Sequence, residues 1–208
     1  YISQDQTLHQ LLTVHETMNL SLNLKNCHGL NDEEKELKIQ EILEKLSINA
    51  KGDSFVRDIS GGEKKRLSIA VEMIHDPKII FLDEPTTGLD YFSSTHCIFL
   101  LKKLAQEGRT VIITIHQPSA FILNIFDHVY ALADGSCIYQ GSSKNIVQFL
   151  RELDLECPPT YNPADFLLEI ANNDYGEHNN CLIEKIGNGS DENYRKSNFS
   201  SSSSSLTI

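Results

Sequence analysis

The sequence predicts an α/β domain with parallel core strands, followed by a C-terminal hairpin and further helices. Two short apolar runs, residues 79–82 and 110–115, have the length of strands and end abruptly in polar residues followed by proline. Such runs are typical of strands that are buried on both faces near the centre of a parallel sheet. Helical patterns alternate with these runs, which is the arrangement of α/β domains.

Capping signals locate the predicted helices. Thr13 with Glu16, and Ser60 with Glu63, each match a capping box, in which the two side chains satisfy backbone N–H groups at a helix start. Elsewhere apolar residues repeat at helical spacing opposite a charged face. The predicted helices cover about residues 14–27, 33–46, 61–75, 91–106, 119–126 and 146–153, with one more starting at Pro163.

The C-terminal third carries a hairpin and then a change of composition. Asp134 and Gly135 separate two β-prone runs and predict a two-residue hairpin turn. Asn162 is suited to cap a helix with Pro163 at its first position. Beyond about Asn172 the residues are mostly Asn, Gly, Asp and Ser, which predicts a disordered linker or tail over 173–208 after a domain over 1–172.

Composition excludes several classes of function. The 208 residues carry a net charge of −11 with a pI near 5.1, which argues against nucleic acid as a partner. Five scattered cysteines without metal or redox spacing favour reduced thiols in a cytosolic setting. No apolar run approaches the roughly 20 residues that cross a bilayer. The chain lacks an initiating Met, so we expect a piece of a longer protein.

Asp83 and Glu84 stand where the first predicted strand ends. Open α/β sheets bind ligands at the carboxyl ends of their strands. Asp83 is suited to hold Mg²⁺ and Glu84 to deprotonate a water. Alternatively, both acids simply face the solvent.

Three other stretches have a functional and a structural interpretation. Ser60 opens a helix whose next two residues, Gly61 and Gly62, leave backbone N–H groups available to an anion, or it is an ordinary cap. His116 ends the second strand and either contacts a phosphate or is structural. Asp90 either serves a ligand or caps a turn.

Together and in this order, these stretches resemble the nucleotide-binding domain of ABC transporters, over about residues 1–172. The correspondence runs from Gln4 as the Q-loop through 59–63 as the signature motif, 79–84 as Walker B, 88–90 as the D-loop and His116 as the switch histidine. The resemblance implies a partial ABC-type ATPase fold with a helical signature-motif subdomain. It also implies Glu84 and His116 as catalytic residues, Asp83 and Gln4 as ligands of Mg²⁺, and Ser60, Gly61, Gly62, Glu63 and Asp90 as contacts around ATP.

The subfamily is indicated by two further segments. Glu63 followed by three basic residues, and the segment 114–119, are similar to the G subfamily. Residues 162–166 with Tyr175 and Gly176 resemble the closing segment of its white and sterol-exporter branch. Members of that branch are half-transporters that work as homo- or heterodimers. The resemblance implies a second nucleotide-binding domain as partner, a transmembrane domain outside this chain, and lipids or sterols moved across a membrane from its cytoplasmic face.

Two departures from the family pattern qualify this expectation. No segment matches the phosphate-cradling motif GxxxxGK[ST], so we expect poor ATP binding by this chain alone. Tyr91 follows Asp90 where the family usually has a small serine, which weakens the expected role of Asp90. Two alternatives remain: a soluble ABC ATPase of the DNA-repair or translation type, and a non-enzymatic truncated subunit that modulates an intact partner.

Overall fold

The computed structural model describes residues 1–4, 7–25, 30–191, 193–194 and 206–207. The chain divides into two compact units, residues 1–104 and 105–208. The predicted extension of the first helix to Cys27 and most of the serine-rich tail lie outside the described residues. The assignment of residues 1–172 to one domain stays a prediction.

The first unit combines three packed helices with a strand and a fourth helix. Its elements are α1 (Val14–Leu24), α2 (Asp32–Lys45), α3 (Gly61–Met73), β1 (Ile79–Asp83) and all but the last two residues of α4 (Tyr91–Gln106). Helices α1, α2 and α3 pack on one another through buried side chains such as Met18, Ile39 and Leu67. That these helices form a signature-motif subdomain stays a prediction.

The helix starts follow the local sequence closely. Both predicted capping boxes are present at α1 and α3, and a third joins Asn31 to Glu34 at the start of α2. Each box satisfies backbone N–H groups that no preceding turn can bond. Helix α4 ends at Gln106, and Gly108 follows with a φ of +97°, which suits a residue without a Cβ.

Strand β1 is buried on one face only, so the predicted burial of both faces is wrong. Ile80 and Leu82 are 3% and 2% exposed, whereas Ile79 and Phe81 are 57% and 46% exposed. Side chains of a strand alternate between its faces, and only the face of Ile80 and Leu82 is packed. Ile2 pairs with this strand in parallel, since its N–H donates to Phe81 O and its carbonyl accepts from Asp83 N, both at 2.8 Å.

The second unit contains the hairpin and the C-terminal helices. Its elements are β2 (Thr110–Thr114), α5 (Ala120–Leu123), β3 (Val129–Ala133), β4 (Ser136–Gly141), α6 (Ile146–Arg151), α7 (Pro163–Ala171), α8 (Asn179–Lys185) and β5 (Leu206–Thr207). Strand β2 pairs in parallel with β5, with Val111 opposite Leu206. Its side chains also alternate, with Val111 and Ile113 buried and Thr114 exposed, so its predicted full burial is wrong.

The hairpin forms as predicted. Strands β3 and β4 are antiparallel, with Tyr130 opposite Gln140 and an irregularity after Ala131. Asp134 and Gly135 have φ values of +47° and +78°, the left-handed pair that a type I′ turn requires.

The segment beyond Asn172 is partly folded, which corrects the predicted disorder over 173–208. Helix α8 packs on β4, and Leu182, Ile186 and Tyr194 are buried in the same core as Phe149. The polar composition of the segment misled the prediction because a few well-spaced apolar side chains suffice to anchor a short helix. Among the described residues, no helix is both long enough and apolar enough to cross a bilayer.

Candidate functional site

The carboxyl end of β1 brings together side chains that are about 80 positions apart in the chain. Because Ile2 pairs with β1, Gln4 emerges beside the end of the strand. The Gln4 amide nitrogen lies 3.2 Å from Glu84 Oε2. The Tyr1 hydroxyl donates to Asp83 Oδ2 at 3.0 Å, and this hydrogen bond is the main reason that the pKa of Tyr1 is raised. Three of the predicted site residues, Gln4, Asp83 and Glu84, therefore share one edge.

Glu84 has a strained backbone that directs its side chain. Its φ of +42° lies in the left-handed region, which costs a non-glycine residue roughly 1–2 kcal/mol. The Thr87 hydroxyl donates to Glu84 Oε2 at 2.8 Å, and the Thr87 N–H donates to the Glu84 carbonyl at 3.2 Å. The carboxylate is thus held between Gln4 and Thr87 at the point where β1 ends.

The donor set at this edge fits Mg²⁺. Asp83 offers a carboxylate and Gln4 an amide carbonyl, and Mg²⁺ prefers such oxygen ligands. Mg²⁺ commonly takes one or two protein ligands and completes its shell with water and phosphate. Within the described part of the chain, no cluster of three His, Cys, Asp or Glu side chains could hold a metal. The two oxygen ligands from Asp83 and Gln4 suit a cation whose remaining ligands are water and phosphate.

The N-terminus of α3 presents backbone N–H groups from a closed capping box. Ser60 Oγ accepts from the Glu63 N–H at 3.3 Å, and Glu63 Oε2 accepts from the Ser60 N–H at 2.7 Å. Burial raises the pKa of Glu63, but the hydrogen bonds with Ser60 and the nearby charges of Lys51 and Arg66 together outweigh burial, and the pKa lies below its usual value. Gly61 and Gly62 follow in the first turn, where N–H groups have no partner within the helix. This end of α3 is therefore suited to an anion.

The same turn packs directly on the start of α4. A Cβ on Gly62 would lie 3.0 Å from both Cβ and Oγ of Ser93, closer than side chains normally approach. A Cβ on Gly61 would lie 3.6 Å from Leu89 Cδ2, an ordinary contact. The 59–63 and 88–90 stretches thus meet within the first unit, and a Cβ at residue 62 would have to displace Ser93 by a few tenths of an ångström.

Asp90 caps helix α4. The Ser93 N–H donates to Asp90 Oδ1 at 2.9 Å, and the Ser93 hydroxyl donates to Oδ2 at 2.7 Å. The side-chain hydrogen bond from Ser93 is the main cause that lowers the pKa of Asp90. Both carboxylate oxygens of Asp90 therefore stabilise the start of α4 through Ser93.

His116 belongs to the second unit, in the loop after β2. The loop continues through the buried Pro118 to Ser119, whose hydroxyl accepts from the Ile122 N–H at 3.3 Å and caps α5. The Asn162 amide donates to the Pro118 carbonyl at 2.9 Å. The expected contact of His116 with a phosphate stays a prediction.

Sequence reasoning missed four residues around these sites. Tyr1 and Ser93 gave no local signal, because their partners become neighbours only in the folded chain. Thr87 lies three residues after Glu84, so a turn-stabilising role could have been found from its spacing. Asn162 was predicted only as a helix cap, and its second hydrogen bond has no signal in the sequence.

Comparison with known proteins agrees with this geometry. Residues 1–87 match the ABC transporter family, and residues 116–181 match the ABC-2 type transporter family. The chain therefore belongs to the ABC transporters, and its homologues belong to the G subfamily.

Individual relatives support the same assignment. The broad substrate specificity ATP-binding cassette transporter ABCG2 of Mus musculus is 39% identical over 179 residues, covering 84% of this chain and 27% of that protein. The Sus scrofa protein of the same name is 38% identical with the same coverage. Protein scarlet of Drosophila melanogaster is 38% identical over 182 residues, covering 85% of this chain and 27% of that protein. The chain thus spans about a quarter of the length of these curated relatives.

Proposed function

We propose that this chain is the ATP-hydrolysing portion of a G-subfamily half-transporter that exports lipids or sterols from the cytoplasmic face of a membrane. The observation that carries the proposal is the contact between Gln4 and Glu84 at the end of β1. An amide and a carboxylate from distant segments meet there, next to the Asp83 carboxylate. The transporter names of the relatives support the coupling to transport.

Glu84 acts as the general base in this proposal. Its carboxylate accepts a proton from the water that attacks the terminal phosphate of ATP. A positioned carboxylate of this kind contributes typically 10²–10⁴-fold to a rate. The left-handed turn and the hydrogen bond from Thr87 hold the carboxylate in place before the substrate arrives.

Asp83 and Gln4 hold Mg²⁺ in this proposal. When bound, Mg²⁺ neutralises charge on the phosphate oxygens, on which much of the catalysis of phosphoryl transfer depends. The amide nitrogen of Gln4 faces Glu84, so the Gln4 side chain can contact the base through its nitrogen while its carbonyl oxygen holds the metal.

Helix α3 serves a second nucleotide-binding domain, in a homodimer or heterodimer. The N–H groups of Gly61 and Gly62, with the Ser60 hydroxyl, bind the terminal phosphate of the ATP that the partner domain holds. Glu63 supports this end indirectly, because its carboxylate already accepts from the Ser60 N–H. Asp90 lies beside the same interface, and His116 contacts the phosphate at the chain's own site.

Lipid-dependent hydrolysis by the full-length protein tests this function. In vesicles, we expect added sterol or phospholipid to stimulate ATP hydrolysis. We expect the Glu84→Gln variant to lose ATP hydrolysis. Glu44→Gln, the same change at an exposed position of α2, serves as the matched control and should keep the activity. Lipid-independent hydrolysis would favour the soluble ABC ATPase. A third outcome would favour the non-enzymatic modulator. In that case this subunit hydrolyses no ATP by itself, and an intact partner subunit keeps its activity when paired with the Glu84→Gln variant.

A further inference from the structure

The loop that carries His116 connects β2 to α5. His116 and Gln117 are exposed, whereas Pro118 is buried. After the loop, Ser119 accepts two hydrogen bonds at the start of α5. The Ser119 hydroxyl accepts from the Ile122 N–H, and the Ser119 carbonyl accepts from the Leu123 N–H at 2.8 Å. Because His116 lies two residues before Pro118, the way in which Pro118 and Ser119 are held affects where His116 lies.

The Asn162 side chain holds this loop from the start of α7. Its Oδ1 accepts from the Ala164 N–H at 3.2 Å and caps the helix, while its Nδ2 donates to the Pro118 carbonyl at 2.9 Å. One half-buried amide thus satisfies two backbone groups, one on each of two segments. Aspartate or serine could provide the cap equally well, but ionised aspartate cannot donate and serine has a shorter side chain, whereas the amide combines a capping oxygen with a donor that reaches the Pro118 carbonyl.

Packing makes the connection between the two segments stiff. Helix α5 contacts α7, and Leu123 and Phe166 belong to one buried core. Near the other end of α7, Glu169 accepts from the hydroxyls of Tyr161 and Tyr175. A shift of α7 would therefore act on Pro118 directly.

We propose that Asn162 is a positioning residue for His116, which it acts on through the carbonyl of Pro118. The catalytic role of His116 is itself part of the proposed function, so this coupling between Asn162 and His116 rests on that function. It makes the 162–166 segment a mechanical connection between the switch-histidine loop and the part of the chain that follows α7.

Hydrogen exchange on the full 208-residue chain tests the contact. Asn162→Asp keeps the capping oxygen but cannot donate, and Asn162→Ser keeps a capping hydroxyl on a shorter side chain. We expect the amides of Ile122 and Leu123 to exchange about fivefold faster in both variants, the factor that one net hydrogen bond contributes. The amide of Phe166, which donates to the Asn162 carbonyl, should be unchanged.

Asn179→Asp is the matched control for these variants. Asn179 donates to the Ala171 carbonyl at 2.9 Å, the same kind of hydrogen bond at the far end of α7. This variant should leave Ile122 and Leu123 unchanged. Equal acceleration at Phe166 and Ile122 in the Asn162 variants would show general fraying of α7 and overturn the proposal, as would no change at Ile122.

Hydrolysis by the assembled protein tests the consequence for His116. Asn162→Asp should lower kcat severalfold at an unchanged KM for ATP, and it should add nothing in a His116→Ala background. Further slowing in that background, or an unchanged kcat in the single variant, would overturn the positioning role. If His116→Ala alone leaves the rate unchanged, the proposed function of His116 fails and the coupling fails with it.

Discussion

Gln4 and Glu84, 80 positions apart in the chain, meet with 3.2 Å between the amide nitrogen of the first and Oε2 of the second. The parallel pairing of Ile2 with β1 sets this distance, because it places the residues that follow Ile2 beside the end of the strand. A site of this kind depends on backbone pairing as much as on the side chains themselves.

Replacement of Glu84 by glutamine should separate binding from hydrolysis. Glutamine keeps the size of the side chain but cannot accept a proton from water, so we expect turnover to fall by at least about 100-fold. ATP binding by the full-length protein should persist and can be measured with a fluorescent nucleotide. Normal hydrolysis in this variant would exclude Glu84 as the base.

Replacement of His116 by alanine should also stop hydrolysis. The expected loss is on the order of 100-fold in kcat, because a charged or hydrogen-bonding contact to the phosphate is removed. His128→Ala is a suitable control, since it makes the same change at a partly exposed position of the second unit. A rate for His116→Ala equal to that of the control would return His116 to a structural role.

Gly62→Ala should destabilise the first unit, whereas Gly61→Ala should not. The added methyl at residue 62 lies 3.0 Å from Ser93, and overpacking of this kind costs typically about 1–3 kcal/mol. At residue 61 the methyl makes an ordinary contact, and alanine favours the helix over glycine. Urea unfolding of the two variants measures the difference.

A second change identifies the cause of that destabilisation. Ser93→Gly removes both atoms that the new methyl meets, so it should recover part of the loss in a Gly62→Ala background. Equal costs for Gly61→Ala and Gly62→Ala would contradict the proposed clash.

Glu63 should make stability depend on pH in the acidic range. The pKa of Glu63 is lower in the folded chain than in the unfolded chain, so the stabilisation is complete above the unfolded pKa of about 4.3. It is lost as the pH falls through the folded pKa. Glutamine can complete the same capping box without a charge, so Glu63→Gln should show less destabilisation by acid.

Urea unfolding between pH 6 and pH 3 measures this effect. The wild type should lose more stability than Glu63→Gln over that range, by roughly 1 kcal/mol or less for a charge near a helix N-terminus. If the stability of the two proteins changes with pH in parallel, ionisation of Glu63 does not contribute to the stability of the folded chain.

Thiol reactivity should differ sharply between Cys97 and Cys181. Burial raises the pKa of Cys97 to about 11, so very little reactive thiolate is present at pH 8. Cys181 is exposed. Iodoacetamide labelling followed by peptide mass spectrometry should modify Cys181 in the native chain and Cys97 only in denaturant. Rapid native labelling of Cys97 would contradict the packing of α4.

Local signals predicted the elements of this protein well. Thr13, Ser60 and Asn162 start helices because each accepts a hydrogen bond from an N–H group within three residues of itself. Contacts over such short spacings can be predicted from the sequence. The Asp134 turn is local in the same way. The order of the motifs along the chain was likewise sufficient to predict the family.

Burial and the partners of individual side chains were decided by tertiary structure. The apolar run of β1 predicted two buried faces, but Phe81 is open because packing covers only the other face. Leu182 and Ile186 anchor a helix in a segment whose average composition predicted disorder. Composition describes a segment as a whole, whereas folding depends on where its few apolar side chains are placed.

The sequence by itself determined which chemical groups this protein has and the order in which they occur. Asp83, Glu84 and the glycines of α3 were all found from their residue types and spacing. Only the tertiary structure decided that Gln4 faces Glu84, that Gly62 packs on Ser93, and that Asn162 reaches Pro118. These contacts join segments tens of residues apart, and strand pairing and helix packing bring such segments together without leaving a local pattern.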